Sequence, residues 1–205
     1  RDGRTAYSFC MCPGGLVVAA SSEAGGLVTN GMSSYARAEA NANAGFMVDV
    51  SPADYGGHGP LAGIDFQRHW EQRGFEAGGG GYFAPVQMIG DFLANRASKE
   101  LGSVKPSYTP GVTPGDLRAC LPDFVVQTLR EAIPAIDRTL RGFAMKDALL
   151  IGVDLVKATA VLEAAYDDAL GVTAAFNLNL LRHVNRLIGS NFDPRDWRHV
   201  SFFNR

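Results

Sequence analysis

Glycine is spread so unevenly along this chain that its two parts cannot fold alike. Before Ala148 stand 21 of the 24 glycines, 9 of the 10 prolines and all three cysteines; from Ala148 onward only Gly152, Gly171, Gly189 and Pro194 punctuate the chain. Glycine admits backbone conformations closed to other residues and weakens the interiors of helices and strands. The first part must therefore be rich in turns and close approaches, whereas the second can run in longer regular elements. This contrast divides the chain into residues 1–147 and 148–205.

In the first part, Ala6–Ser22 reads as a hairpin of two short strands around Pro13-Gly14-Gly15. Leu27–Thr29 follows as a strand running into an Asn30-Gly31 turn, and Phe46–Val50 as another strand. Helical spacing then takes over. Leu61–Phe75 places Phe66 and Trp70 four apart, Pro85–Ala97 places Val86, Ile89 and Leu93 on one stripe, and Val125, Leu129 and Ile133 recur at the same interval. Thr113-Pro114-Gly115-Asp116 resembles a helix amino-terminal cap. Strands first and helices after predict an α+β fold.

Two clusters here invite chemistry. Gly78–Gly81 leads into the helix expected from Pro85, so Gly79, Gly80 and Gly81 are candidate cofactor-binding residues, because helix amino termini attract anions; a flexible connector is the plainer alternative. Cys10 and Cys12 share one face of a strand, as buried thiols or as a redox pair beside a flavin. His58, His69, His183 and His199 lack ligand-like spacing, so no metal site is expected. Gly57-His58-Gly59-Pro60-Leu61-Ala62 fits the letters of a dinucleotide fingerprint, but Pro60 lies inside the turn and no strand directly precedes it. No catalytic residue stands out.

Charge and hydropathy narrow the partners. The net charge of −2 comes from the first part, the second being neutral, so neither carries the basic excess that a phosphate backbone requires and no nucleic-acid partner is expected. No apolar run reaches the ~20 residues of a membrane span, and the first residues lack the apolar core of a signal peptide. Three cysteines do not make a secreted disulfide framework. The expected setting is the cytoplasm, and Arg1 in place of an initiator Met suggests a processed or excised chain.

Longer strings carry a resemblance. Ser8-Phe-Cys-Met-Cys-Pro-Gly-Gly15, Leu27-Val-Thr-Asn-Gly-Met-Ser33, Asn41-Ala-Asn43, Pro60-Leu-Ala-Gly63, Gly79-Gly-Gly-Tyr-Phe-Ala-Pro-Val-Gln87, Pro106-Ser-Tyr-Thr-Pro-Gly111 and Gly142-Phe-Ala-Met-Lys-Asp-Ala-Leu149 occur in order. Over residues 4–150 the chain resembles the uncharacterised FAD-dependent dehydrogenases. The resemblance implies FAD as cofactor and makes residues 1–147 an inner and late segment of a longer oxidoreductase. That family's amino-terminal glycine-rich FAD motif has no counterpart here.

The second part reads as strand, helix, helix, strand, typical of the inside of an α/β domain. Leu150–Val156 is its first strand, helices begin near Ala158 and after Gly171, and Trp197–Phe203 is its last strand. Leu149-Leu-Ile-Gly-Val-Asp-Leu-Val-Lys157, Leu162-Glu-Ala-Ala-Tyr-Asp-Asp168 and Gly171-Val-Thr-Ala-Ala-Phe-Asn-Leu-Asn179 are similar to the SAM-dependent histidine Nα-methyltransferases of ergothioneine biosynthesis. This resemblance implies a Rossmann-like segment, SAM as methyl donor and Tyr166 as a contact to substrate histidine; the bland reading of Tyr166 is an amphipathic core residue. The family's glycine-rich SAM loop falls outside the matching segment.

Both resemblances meet at Ala148-Leu149-Leu150-Ile151-Gly152-Val153. The expectation is a composite of two interior fragments: an FAD-dependent oxidoreductase piece not active alone, a histidine methyltransferase piece, or a joined chain without catalysis. Helix faces cut off from their partner layers would leave apolar patches and promote self-association.

Overall fold

The structure is a computed structural model that describes residues 3–56, 61–152, 185, 191 and 193–196. It divides into two compact units, Arg1–Val156 and Lys157–Arg205. Of the second unit, the described part holds a short 3-10 turn, Pro194–Asp196, in which Asp193 accepts a hydrogen bond from the Arg195 backbone N–H at 2.9 Å. The two helices and the last strand expected there, and Tyr166, lie outside the described residues.

The first unit opens on an antiparallel sheet of β1 (Ala6–Ala19), β2 (Thr29–Ser33) and β3 (Asn41–Val48), in the order β2-β1-β3. The hairpin expected over Ala6–Ser22 is instead this single 14-residue strand. Pro13-Gly14-Gly15 does not reverse the chain. It shifts the register between Phe9 and Cys12 and again between Cys12 and Gly15, so that β1 pairs with β3 up to Gly15 and with β2 from Gly15 onward. Proline lacks a donor and Gly14 has φ +51°, both at home in a bulge.

Asn30-Gly31 is likewise not a turn; it lies inside β2, with Gly31 opposite Val17. The glycine is needed for a close approach, because a Cβ at Gly31 would collide with the side chain of Asn43. β3 is shifted from the expected strand and ends at Val48.

Next come α1 (Pro52–Tyr55) and α2 (Ala62–Ala77), the second close to its expected range, with Phe66 and Trp70 in edge contact. The helix expected over Pro85–Ala97 divides into the buried strand β4 (Ala84–Met88) and the short helix α3 (Ile89–Leu93). A short apolar run buried on both faces has no period that separates strand from helix. β4 is the middle of a second sheet, parallel to β5 (Val112–Pro114) and antiparallel to β6 (Leu149–Ile151). The strand expected from Leu150 is thus described only as β6, a member of the first unit.

Thr113 and Pro114 belong to β5 rather than to a helix cap, while Asp116 caps the 3-10 turn Leu117–Ala119 by accepting from the Arg118 N–H. The last helix of this unit, α4 (Asp123–Asp137), buries Val126, Leu129 and Ile133 against Val48, Ile89 and Phe92. Full burial of such side chains stabilises the fold by about 1.5–3 kcal/mol each. A second cluster, Leu27, Ala84 and Tyr108, joins the two sheets, with Val17 and Ile151 packed against it. This unit combines two sheets with helices, consistent with α+β, although after β3 strands and helices alternate rather than all the strands coming first.

Candidate functional site

The glycine run sits at the carboxyl end of α2. Gly78 keeps a helical φ of −72°, and then Gly79, Gly80, Gly81 and Tyr82 all take positive φ, between 62° and 86°. Four consecutive left-handed residues carry the chain from α2 into β4, which only glycine does at low cost. A side chain at Gly78 would strike the Phe83 carbonyl, whereas Gly79 faces open space. Tyr82, left-handed without being glycine, is held by its surroundings. Its carbonyl accepts the Tyr108 hydroxyl at 3.0 Å and its ring meets Phe75 edge-on at 5.1 Å.

The first three N–H groups of the run are already in use. Gly78 donates to the Gly74 carbonyl at 3.0 Å, Gly79 to that of Glu76 at 2.9 Å, and Gly80 to that of Phe75 at 3.0 Å. The Gly78 carbonyl accepts the Thr113 hydroxyl at 2.6 Å. The run therefore closes one helix and enters a strand. The helix amino terminus expected after it, with its pull on anions, is not at this place.

Cys10 and Cys12 lie in the bulged stretch of β1, and bulges often re-aim side chains beside functional sites. Cys12 is half-buried and in register with Asn43. Asn43 donates to the Leu16 carbonyl at 3.2 Å, while its Oδ1 is buried with no hydrogen-bond partner. The third cysteine, Cys120, is fully buried beside Leu117, and burial pushes its thiol up to about 12. It is a packing residue, since the thiolate is the reactive form.

A buried polar relay under β4 carried no signal in the sequence. The Met88 N–H donates to Ser98 Oγ at 2.9 Å, Ser98 donates to Asp91 Oδ2 at 2.7 Å, and Arg96 Nε donates to Asp91 Oδ1 at 2.6 Å. Gln87, 1% exposed, donates to the Arg96 carbonyl and accepts from the Leu117 N–H. The Ser98 hydroxyl is the main influence holding the Asp91 carboxyl below the usual range, with Arg96 assisting and burial opposing. The relay ties β4, α3 and the 3-10 turn into one rigid piece.

Among the described residues no helix is long and apolar enough to cross a membrane.

Residues 1–155 match the model of the family described as FAD-dependent protein, C-terminal domain-like. The chain belongs to this family. Residues 120–205 also match the model described as histidine-specific methyltransferase, SAM-dependent, so α4 and β6 fall within both matches.

Among relatives, an uncharacterized protein of Clostridium beijerinckii is 54% identical over 151 residues, which is 74% of this chain and 28% of that protein. The histidine N-alpha-methyltransferase of Mycolicibacterium smegmatis is 55% identical over 58 residues, 28% of this chain and 18% of that one. The ergothioneine biosynthesis protein 1 of Schizosaccharomyces pombe is 37% identical over 70 residues, 32% of this chain and 9% of that one. The chain spans less than a third of the length of each.

Proposed function

We propose that this chain is a composite. In it the late segment of an FAD-dependent oxidoreductase, a dehydrogenase by resemblance, is followed by an interior segment of a SAM-dependent histidine Nα-methyltransferase. The match of residues 1–155 to the FAD-dependent family carries the first assignment, since it extends across almost all of the first unit. FAD, when bound, supplies electron transfer, and the protein's share is to bind and orient. Among the described residues the glycine-rich loop does not fit the cofactor's pyrophosphate, because the N–H groups of Gly78, Gly79 and Gly80 are occupied by the carbonyls of α2.

The purified full chain, titrated with FAD and passed over a desalting column, tests the flavin assignment. Retained visible flavin absorption supports it; colourless protein after saturating FAD counts against it. The 55% identity over 58 residues favours a second reading, in which Tyr166 contacts substrate histidine. Calorimetry with SAM and histidine tests it, and absence of heat from both ligands removes it. Long DNA reads across the codons for Ala148–Val153 test the composite itself; an uninterrupted gene of one family there contradicts it.

The buried free thiol of Cys120 supports a reducing, cytoplasmic setting. Outward Met11, Met32, Leu61 and Leu140, 47–64% exposed, support self-association. Sedimentation velocity reads this directly: a concentration-dependent rise in sedimentation coefficient is expected, and a strictly monomeric chain contradicts it.

A further inference from the structure

The FAD that the family implies and the shape of the glycine run disagree, and the disagreement concerns where the cofactor's charge can go. A helical residue followed by a left-handed one turns successive N–H groups into one concavity, and such nests cradle phosphates in many proteins. Gly78 and Gly79, with φ −72° and +86°, form that pair.

Here the concavity is full. The N–H groups of Gly78, Gly79 and Gly80 already bond the carbonyl oxygens of Gly74, Glu76 and Phe75. A phosphate would have to break those bonds and uncover the carbonyl ends of the last turn of a 16-residue helix. That pole carries about half a negative elementary charge, and anions are disfavoured there. The Glu76 carboxylate, exposed and paired with Arg73, stands on the same turn. The downstream side gives no relief, since the chain enters β4 and not a helix amino terminus.

We propose that the N–H groups of Gly78, Gly79 and Gly80 form a helix-closing nest occupied by the carbonyl oxygens of α2, and that this nest excludes the pyrophosphate of FAD. The run serves to seat Tyr82 and Phe83 at the entrance to β4. This inference rests on the flavoprotein reading for its interest but is decided separately from it.

The test compares FAD, riboflavin, ADP and inorganic pyrophosphate on the full chain, by fluorescence titration for the flavins and by thermal shift against ionic-strength-matched chloride for the other two. A second arm repeats the FAD titration on Gly79→Asp. That position faces open space, and Asp tolerates left-handed backbone better than most residues.

ADP and pyrophosphate are expected to leave Tm at the chloride value, and Gly79→Asp to leave FAD affinity within about threefold of wild type, well under the 1.4 kcal/mol of a tenfold change. A rise in Tm with ADP or pyrophosphate that Gly79→Asp abolishes overturns the proposal. So does an FAD affinity lowered tenfold or more by the same substitution while riboflavin affinity holds. If no flavin binds and neither anion raises Tm, the closed nest stands and the flavoprotein assignment falls. If FAD binds more tightly than riboflavin and Gly79→Asp changes nothing, both stand and the pyrophosphate is held elsewhere.

Discussion

Ser98 makes a two-sided contact that loss of its hydroxyl breaks on both sides at once. Its hydroxyl accepts from the Met88 N–H and donates to Asp91, with the serine 2% exposed. Ser98→Ala leaves a buried N–H and a buried carboxylate short of one partner each, so a loss of about 1–3 kcal/mol is expected in urea unfolding. The folded Asp91 carboxyl titrates below its unfolded value, so its contribution is complete above the unfolded value near ~4 and disappears as pH falls through the lower folded one. Asp91→Asn should therefore lower stability at neutral pH and flatten the acid limb of the stability curve; an unchanged acid limb contradicts the relay. Burial also governs Cys120. Raised to about 12 by burial, its thiol should resist labelling in the native state and react once the chain is unfolded in urea; peptide mass spectrometry after a short pulse reads both. Labelling of Cys120 in the native state as fast as in the unfolded chain counts against its packing beside Leu117.

At the scale of elements, sequence periodicity succeeded where one face of a helix is buried and failed where a strand is buried on both. α2 and α4 were readable from apolar residues at three- and four-residue spacing, and Ile133 lies fully buried on the stripe so found. Ile133→Ala is expected to cost about 2–5 kcal/mol, measured as a shift of the urea midpoint at constant m value. β4 was not readable, because four consecutive buried residues have no alternation to show, and Pro85 suggested a helix start. Glycine misled twice for a shared reason: in β1 and β2 it serves close approach and bulging rather than reversal. That difference is testable within β2. A turn at Asn30-Gly31 would depend on both residues, whereas the observed strand depends on Gly31, whose missing Cβ makes room for Asn43. Gly31→Ala should destabilise the chain by about 1–3 kcal/mol, the range for an overpacked site, and exposed Asn30→Ala by less than about 0.5. Equal effects contradict the strand. Of the candidate site, the glycine run and the cysteine pair were visible as composition, but what they bond to depends on residues distant in sequence, and Tyr108 on Tyr82 shows no local pattern.

Over the whole molecule, two family matches overlap on α4 and β6, and the compact first unit ends at Val156, just past the first match. β6 occupies one edge of the second sheet, where the Pro85 carbonyl also accepts the Gly152 N–H at 3.0 Å. β6, common to both matches, thus contributes to the core of the first unit, with Ile151 against Leu27, Ala84 and Tyr108. A join after β6 leaves the flavoprotein segment with the three strands described for its second sheet. The direct measurement is urea unfolding of residues 1–156 beside the full chain, followed by tryptophan fluorescence of Trp70, with Trp197 replaced by Phe in the full chain. One cooperative transition in the shorter protein, superimposed on the Trp70 transition of the full chain, is the predicted result. A shorter protein without a cooperative transition, while the full chain retains one, would contradict the account of two joined pieces of which the first folds by itself.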